Sequence, residues 1–180
     1  MRGTRMTTIW LTGLPSSGKT TLAKALAGHL HRPTQVLDGD EVRRELFREL
    51  GFDEQSRREN IRRVGWMARM VGQHGVLVLV PVIAPYRDAR AQVRAAHEAV
   101  GQRFAEVYVD ATLSACVERD VKGLYARRTK GMTGVDAVYE PPLEPDLHLR
   151  TDRSTVAECV DSLVNLVAAL DLRELNGAVR

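Results

Sequence analysis

Residues 13–20 read Gly13-Leu14-Pro15-Ser16-Ser17-Gly18-Lys19-Thr20, the spacing G-x-x-x-x-G-K-[ST] of a phosphate-binding loop. Such a loop works only where a strand delivers the chain to a tight turn and a helix leaves it, so the octapeptide dictates its own flanks. Thr8-Ile9-Trp10-Leu11-Thr12 is β-branched and apolar and reads as that strand. Leu22, Leu26 and Leu30 recur at helical spacing on the other side. In this setting Gly13 and Gly18 let successive backbone N–H groups converge on phosphate oxygens. Lys19 reaches the terminal phosphates and the Thr20 hydroxyl is a ligand for Mg²⁺. The helix start, Thr21 included, adds its positive end. The reading is a nucleoside triphosphate site built from Gly13, Leu14, Pro15, Ser16, Ser17, Gly18, Lys19, Thr20 and Thr21, with the phosphoryl acceptor left open.

The rest of the chain alternates in the same sense. Gln35-Val36-Leu37 is a second strand, followed by helices over 40–50 and 56–74, the latter with Ile61, Val64, Ala68 and Val71 inward and Gly75 at its end. Val76-Leu77-Val78-Leu79-Val80-Pro81-Val82-Ile83 is apolar almost throughout, as a central parallel strand must be, and irregular at Pro81, which has no N–H to donate. A helix over 87–100, a strand over 104–109, a helix begun by Asp110 or Thr112, and a short strand at Leu147-His148-Leu149 complete the series. Thr155 and Glu158 form a capping box for a last helix that buries Val156, Val160, Leu163, Val167 and Leu170. This predicts a three-layer α/β fold, a five-stranded parallel sheet with helices on both faces and ligands at the carboxyl ends of the strands. The 180 residues suit one domain. The stretch 122–145, with three glycines and three prolines, reads as a mobile lid.

Two further segments carry chemistry. Asp38-Gly39-Asp40 ends the second strand facing the loop. Asp40 is the first choice for a carboxylate that works on an acceptor hydroxyl or shares Mg²⁺ with Thr20, although both residues equally suit the cap of the next helix. Phe52, Arg57, Arg58, Asn60, Arg62 and Arg63 set guanidinium groups and an amide beside an aromatic ring. That is the equipment of a bidentate anion clamp, although a charged helix face is more often only solvated. The strand over 76–83 has no Asp, so a Walker-B metal ligand is missing, and no Asn-Lys-x-Asp reads guanine.

Taken together these residues resemble adenylylsulfate kinase, over about 8–170. The resemblance rests on Leu37-Asp38-Gly39-Asp40 with Arg43, Leu50-Gly51-Phe52, Arg57-x-x-Asn60-Ile61-Arg62-Arg63, Pro85-Tyr86-Arg87, and Arg119-Asp120-Val121-Lys122-Gly123-Leu124-Tyr125. Thr133-Gly134-Val135-Asp136 and Tyr139-Glu140-Pro141-Pro142 complete it. It implies transfer of the γ-phosphoryl group of ATP, with Mg²⁺, to the 3′-hydroxyl of adenylyl sulfate. By the same resemblance Lys19 and Asp40 are catalytic, and Arg119 lies at the ATP adenine. Asp40, Arg43, Phe52, Arg57, Asn60, Ile61, Ile83, Ala84, Lys122, Met132 and Thr133 hold adenylyl sulfate, and the assembly is a homodimer. Three departures stand out. Ala84 replaces a serine common in the family, which excludes a phosphoserine there and leaves direct in-line transfer. The lid between Tyr125 and Thr133 is short. Met132 stands where a second aromatic wall is usual.

Rival readings are a kinase of the same fold with another hydroxyl acceptor, and a nucleotide-binding partner protein without turnover. A formal charge of +3 gives little reason for a nucleic-acid partner, and no apolar stretch is long enough to span a membrane. Cys116 and Cys159 are isolated thiols suited to a reducing cytoplasm.

Overall fold

A computed structural model describes residues 7–120, 123–126 and 131–177, with side chains as far as 172. Its strands are β1 (Thr7–Thr12), β2 (Thr34–Val36), β3 (Leu77–Pro81), β4 (Arg103–Asp110) and β5 (Leu147–Arg150). The helices are α1 (Lys19–His29), α2 (Gly39–Leu46), α3 (Glu54–Gly72), α4 (Arg87–Glu98), α5 (Leu113–Arg119) and α6 (Val156–Gly177). All four strand pairings are parallel, in the order β2-β3-β1-β4-β5.

Alternation along the strands divides the core into two layers. Ile9, Leu11, Leu77, Leu79, Val107 and Val109 pack with Leu22 and Leu26 of α1 and Cys159, Leu163 and Val167 of α6. Trp10, Val78, Val80 and Phe104 face Ile61, Val64 and Ala68 of α3 and Ala89 and Val93 of α4. Because β3 is covered on both faces, all five of its residues are buried. It stops at Pro81, after which Val82 N donates to Leu11 O. Every connection therefore returns over a face, and the loops after β1, β2 and β3 open at one edge of the sheet.

Two boundaries and one buried position depart from the sequence reading for identifiable reasons. Asp53 accepts from Ser56 N and Oγ, so α3 begins at Glu54 rather than at 56. Arg43 reaches back to the carbonyls of Leu50 and Gly51 and turns the chain, so α2 ends at Leu46 rather than at 50. The Thr155–Glu158 capping box forms in both directions, but Val156 is 49% exposed and Cys159 takes the buried position instead. The first turn of α6 overhangs the sheet, which leaves Val156 on the wall of a cleft.

Candidate active site

The loop between β1 and α1 closes tightly. A Cβ on Gly13 would run into the carbonyl oxygen of Val109, and Gly18 caps α1 with φ +99, in the left-handed region. Lys19 is nearly buried, and its Nζ donates to Gly13 O at 2.9 Å and Leu14 O at 2.5 Å. An ammonium held over the loop by carbonyl oxygens is placed to exchange them for phosphate oxygens. Thr20 Oγ1 donates to Asp38 Oδ2 at 2.7 Å, while Asp38 Oδ1 accepts from the N–H groups of Asp40 and Glu41 at the start of α2. The capping and functional roles of Asp38 are thus both met, one by each oxygen. The carboxylate on Thr20 is Asp38, and not Asp40 as expected, because the cap turns Asp38 inward and leaves Asp40 on the exposed side of the first turn. A hydroxyl and a carboxylate side by side form a hard-oxygen pair that fits Mg²⁺, which takes few protein ligands and completes its shell with phosphates and water.

Beside the loop lies a cleft of about 330 Å³ lined by Gly18, Thr21, Arg119, Thr151, Val156 and Cys159, among others. Arg119, the last residue of α5, is fixed there by Nη2 on Thr151 O at 2.6 Å and Nη1 on Thr151 Oγ1 at 3.2 Å. Thr151 in turn donates to Ser17 O at 2.8 Å. Arg119 and Thr21, predicted for the donor nucleotide from distant parts of the chain, therefore share one wall.

Residues predicted for the acceptor gather at the start of α3. Arg57 Nε donates to Phe52 O at 2.6 Å, and its two terminal nitrogens donate to Gly131 O and Thr133 Oγ1. Residues 131–137 form a turn whose N–H groups at Val135, Asp136 and Ala137 converge on Met132 O. A Cβ on Gly134 would meet the Leu14 side chain, so this turn rests on the phosphate loop. Asn60, one turn along α3 from Arg57, is 6% exposed, and its Oδ1 has no hydrogen-bond partner. A buried amide oxygen left so is costly unless a ligand meets it. Phe52 is 72% exposed with the Arg43 guanidinium 4.5 Å over its ring. Burial, and then the Arg57 charge, lower the Arg43 pKa from its ordinary value.

Other predicted residues sit differently. Ile61 is in the core beneath α3, so it contributes packing rather than a surface for a ligand. Ile83 O accepts from Thr12 Oγ1 at 2.6 Å and Ala84 O from Arg90 at 2.7 Å. Ala84 is buried with φ +44. Lys122 lies outside the described residues. Of the charged run on α3, Arg58, Arg62 and Arg63 are the solvated face: they pair with Glu54 and Asp88, with Glu59, and with Glu49 and Glu59. Arg57 alone of the four turns to the turn at 131–133.

Sequence reasoning missed several residues that frame the site. Thr12 contacts Tyr139 Oη at 3.1 Å, and burial raises the pKa of that phenol. Tyr125 Oη donates to Pro15 O at 3.0 Å, and Asp120 accepts from the N–H groups of Leu124, Tyr125 and Ala126. Tyr125, Asp120 and Tyr139 all lie in quoted signature segments. Thr12 and Thr151 carry no signal beyond β-branched residues at strand ends.

The family model for adenylylsulphate kinase matches residues 5–150. The chain belongs to the adenylylsulfate kinase family. An adenylyl-sulfate kinase of Chloroflexus aurantiacus is 48% identical over 171 residues, covering 91% of this chain and 90% of that one. The APS kinase CysC of Mycobacterium tuberculosis, solved in complex with AMPPNP and APS, superposes with a TM-score of 0.87 at 39% identity, over 91% of this chain and 98% of that chain. A hexameric APS kinase from Thiobacillus denitrificans gives a TM-score of 0.70 at 32% identity, over 93% of this chain and 30% of that chain. The loop and cleft, predicted for the donor, lie beside α2, α3 and the turn at 131–137, which carry the residues predicted for the acceptor.

Proposed function

We propose that this adenylylsulfate kinase transfers the γ-phosphoryl group of ATP directly to the 3′-hydroxyl of adenylyl sulfate, giving 3′-phosphoadenylyl sulfate and ADP. The observation that carries the acceptor is the partnerless, buried Asn60 Oδ1 one turn along α3 from the Arg57 fork, which is bonded to the turn that rests on Leu14 of the phosphate loop. An adenylylated anion supplies the two things this corner asks for, hydrogen-bond donors for the amide and oxyanions for the guanidinium groups.

Gly13 to Thr20 cradle the ATP phosphates, and Lys19 leaves the Gly13 and Leu14 carbonyls to neutralise the transferred charge. Thr20 and Asp38 would hold Mg²⁺, which would supply charge neutralisation at the phosphates. Asp40, on the exposed side of the first turn of α2, is the base for the 3′-hydroxyl. Phe52 and Met132 flank the acceptor adenine, Thr133 approaches from the turn at 131–137, and Arg119 with Val156 borders the donor base. Ala84 has no hydroxyl, which supports in-line transfer without a phosphoenzyme.

A homodimer is the assembly we assign. Trp66 and Met70, exposed four residues apart on α3, give an apolar face of the kind a second copy covers. The compartment is the cytoplasm, in keeping with two buried free thiols; among the described residues no helix is long and apolar enough to cross a membrane.

The test is an acceptor panel. With ATP and Mg²⁺, adenylyl sulfate is expected to exceed nucleoside, sugar and aminoglycoside hydroxyls in kcat/KM by about a thousandfold or more, the discrimination of a site whose polar groups go unpaired with the wrong ligand. Comparable turnover of any of the others would replace this reading by that of a related small-molecule kinase.

A further inference from the structure

Arg90 sits inside α4 with a side chain 2% exposed. A guanidinium so deeply buried persists only where its N–H groups are met. Three segments far apart in sequence meet them. Nε donates to Glu106 of β4, Nη1 to Ala84 O at 2.7 Å, and Nη2 to Glu140 O at 2.8 Å. Ala84 holds a left-handed backbone that alanine disfavours, so something outside the residue must keep it there. Glu140 is tied to the same bend: its N–H donates to Pro85 O at 2.8 Å and its Oε2 accepts from Arg87 N at 2.8 Å. One residue earlier, Tyr139 meets Thr12, which also holds Ile83 O. The bend at 83–87 and the strap at 139–141 are thus one unit, pinned from beneath by a single planar fork.

We propose that Arg90 is a positioning residue of the acceptor pocket. Its fork fixes the bend after β3 and, through Glu140, the end of the lid segment where the chain rejoins the body. Its hydrogen bonds go to Glu106, Ala84 and Glu140 and not to the donor loop, so its loss loosens acceptor binding and leaves donor binding in place. This rests on the acceptor assignment above for its kinetic expression, though not for its structural one.

Arg90→Lys keeps the charge beside Glu106 but cannot reach both carbonyls. In the full chain it is expected to raise KM for adenylyl sulfate about tenfold and to move KM for ATP by less than about twofold, as expected for a misplaced pocket wall. Arg90→Gln is expected to exceed that. Glu106→Gln leaves both carbonyl bonds, so it is expected to lower the thermal midpoint while KM for adenylyl sulfate stays within about twofold of wild type. A merely structural Arg90 would make Arg90→Lys and Glu106→Gln behave alike, and equal changes in both KM values, or none, would overturn the proposal. Should Arg90→Gln fail to fold, the other two variants decide. Hydrogen exchange separates this proposal from the function it rests on. Arg90→Lys is expected to speed amide exchange in the bend and strap with the donor loop unchanged, whatever the acceptor proves to be. Unchanged exchange there overturns the positioning role, whereas failure of wild type to phosphorylate adenylyl sulfate overturns only the acceptor assignment.

Discussion

At the scale of single residues, the division of labour between Asp38 and Asp40 turns on two oxygens. Asp38 Oδ1 is spent on the α2 cap and Oδ2 on Thr20, which is the ground for proposing Asp38 at the metal and Asp40 at the hydroxyl. Asp38→Asn is therefore expected to raise the Mg²⁺ concentration for half-maximal rate about tenfold or more, the usual cost at a residue that holds or orients a metal. Asp40→Asn is expected to lower kcat by a factor of about 100 or more at an unchanged Mg²⁺ requirement, as for loss of a general base. A Mg²⁺ titration of both variants checks this, and the reverse pattern would exchange the two roles. Arg57→Ala is expected to raise KM for adenylyl sulfate about tenfold or more with little effect on ATP, since charge-assisted clamps are the stronger hydrogen bonds. Equal damage to both would mean that its bonds to Gly131 and Thr133 serve the fold of the lid rather than the acceptor. The phosphate loop was legible because its chemistry is carried by adjacent residues at fixed spacing. The choice between Asp38 and Asp40 was not, because it depends on the angle at which α2 leaves β2. Arg57 could not be told from Arg58, Arg62 and Arg63 by composition, since only the neighbouring carboxylates decide which guanidinium groups are already engaged.

At the scale of elements, the packing of α4 on β4 contains a pH-dependent member. His97 is 1% exposed, and its ring centroid lies 5.2 Å from that of Phe104 in a tilted arrangement. Its Nδ1 lies 2.8 Å from Val93 O, and a carbonyl only accepts, so Nδ1 carries the proton. Nε2 is buried without a partner. Burial first, and the Arg69 charge more weakly, lower its pKa from the ordinary 6.5. The unfolded chain therefore takes up a proton before the folded one, so this contribution to stability is complete above pH of about 6.5 and lost as pH falls through the folded pKa. Thermal melts at pH 7.5 and 5.5 are expected to show a drop for wild type that shrinks in His97→Gln. An equal drop in both would assign the pH dependence to the carboxylates instead. Elements with a strong period, α3, α4 and β3, could be read from the sequence almost to their ends. The errors fell at α2, at the start of α3 and in the first turn of α6, where Arg43, Asp53 and an overhang past the sheet outweigh local pattern.

At the scale of the molecule, the order β2-β3-β1-β4-β5 brings the loops after three strands to one edge, and the turn at 131–137 lies across that edge from Leu14 to Arg57. The halves proposed for donor and acceptor are thereby joined through tertiary contacts that no local pattern encodes, Arg57 to Thr133 and Arg90 to Glu140 among them. The alternation of strands and helices foretold the layers, but the crossing of segments over the site had to be seen in three dimensions. Whether the phosphoryl group passes directly between two bound nucleotides is decided by a rapid-quench single turnover with γ-labelled ATP, Mg²⁺ and excess adenylyl sulfate. Label is expected to pass from ATP to the 3′-phosphate of 3′-phosphoadenylyl sulfate in one phase, with none bound to protein at any time. Label trapped on the protein, or appearing in inorganic phosphate while adenylyl sulfate stays unmodified, would contradict it.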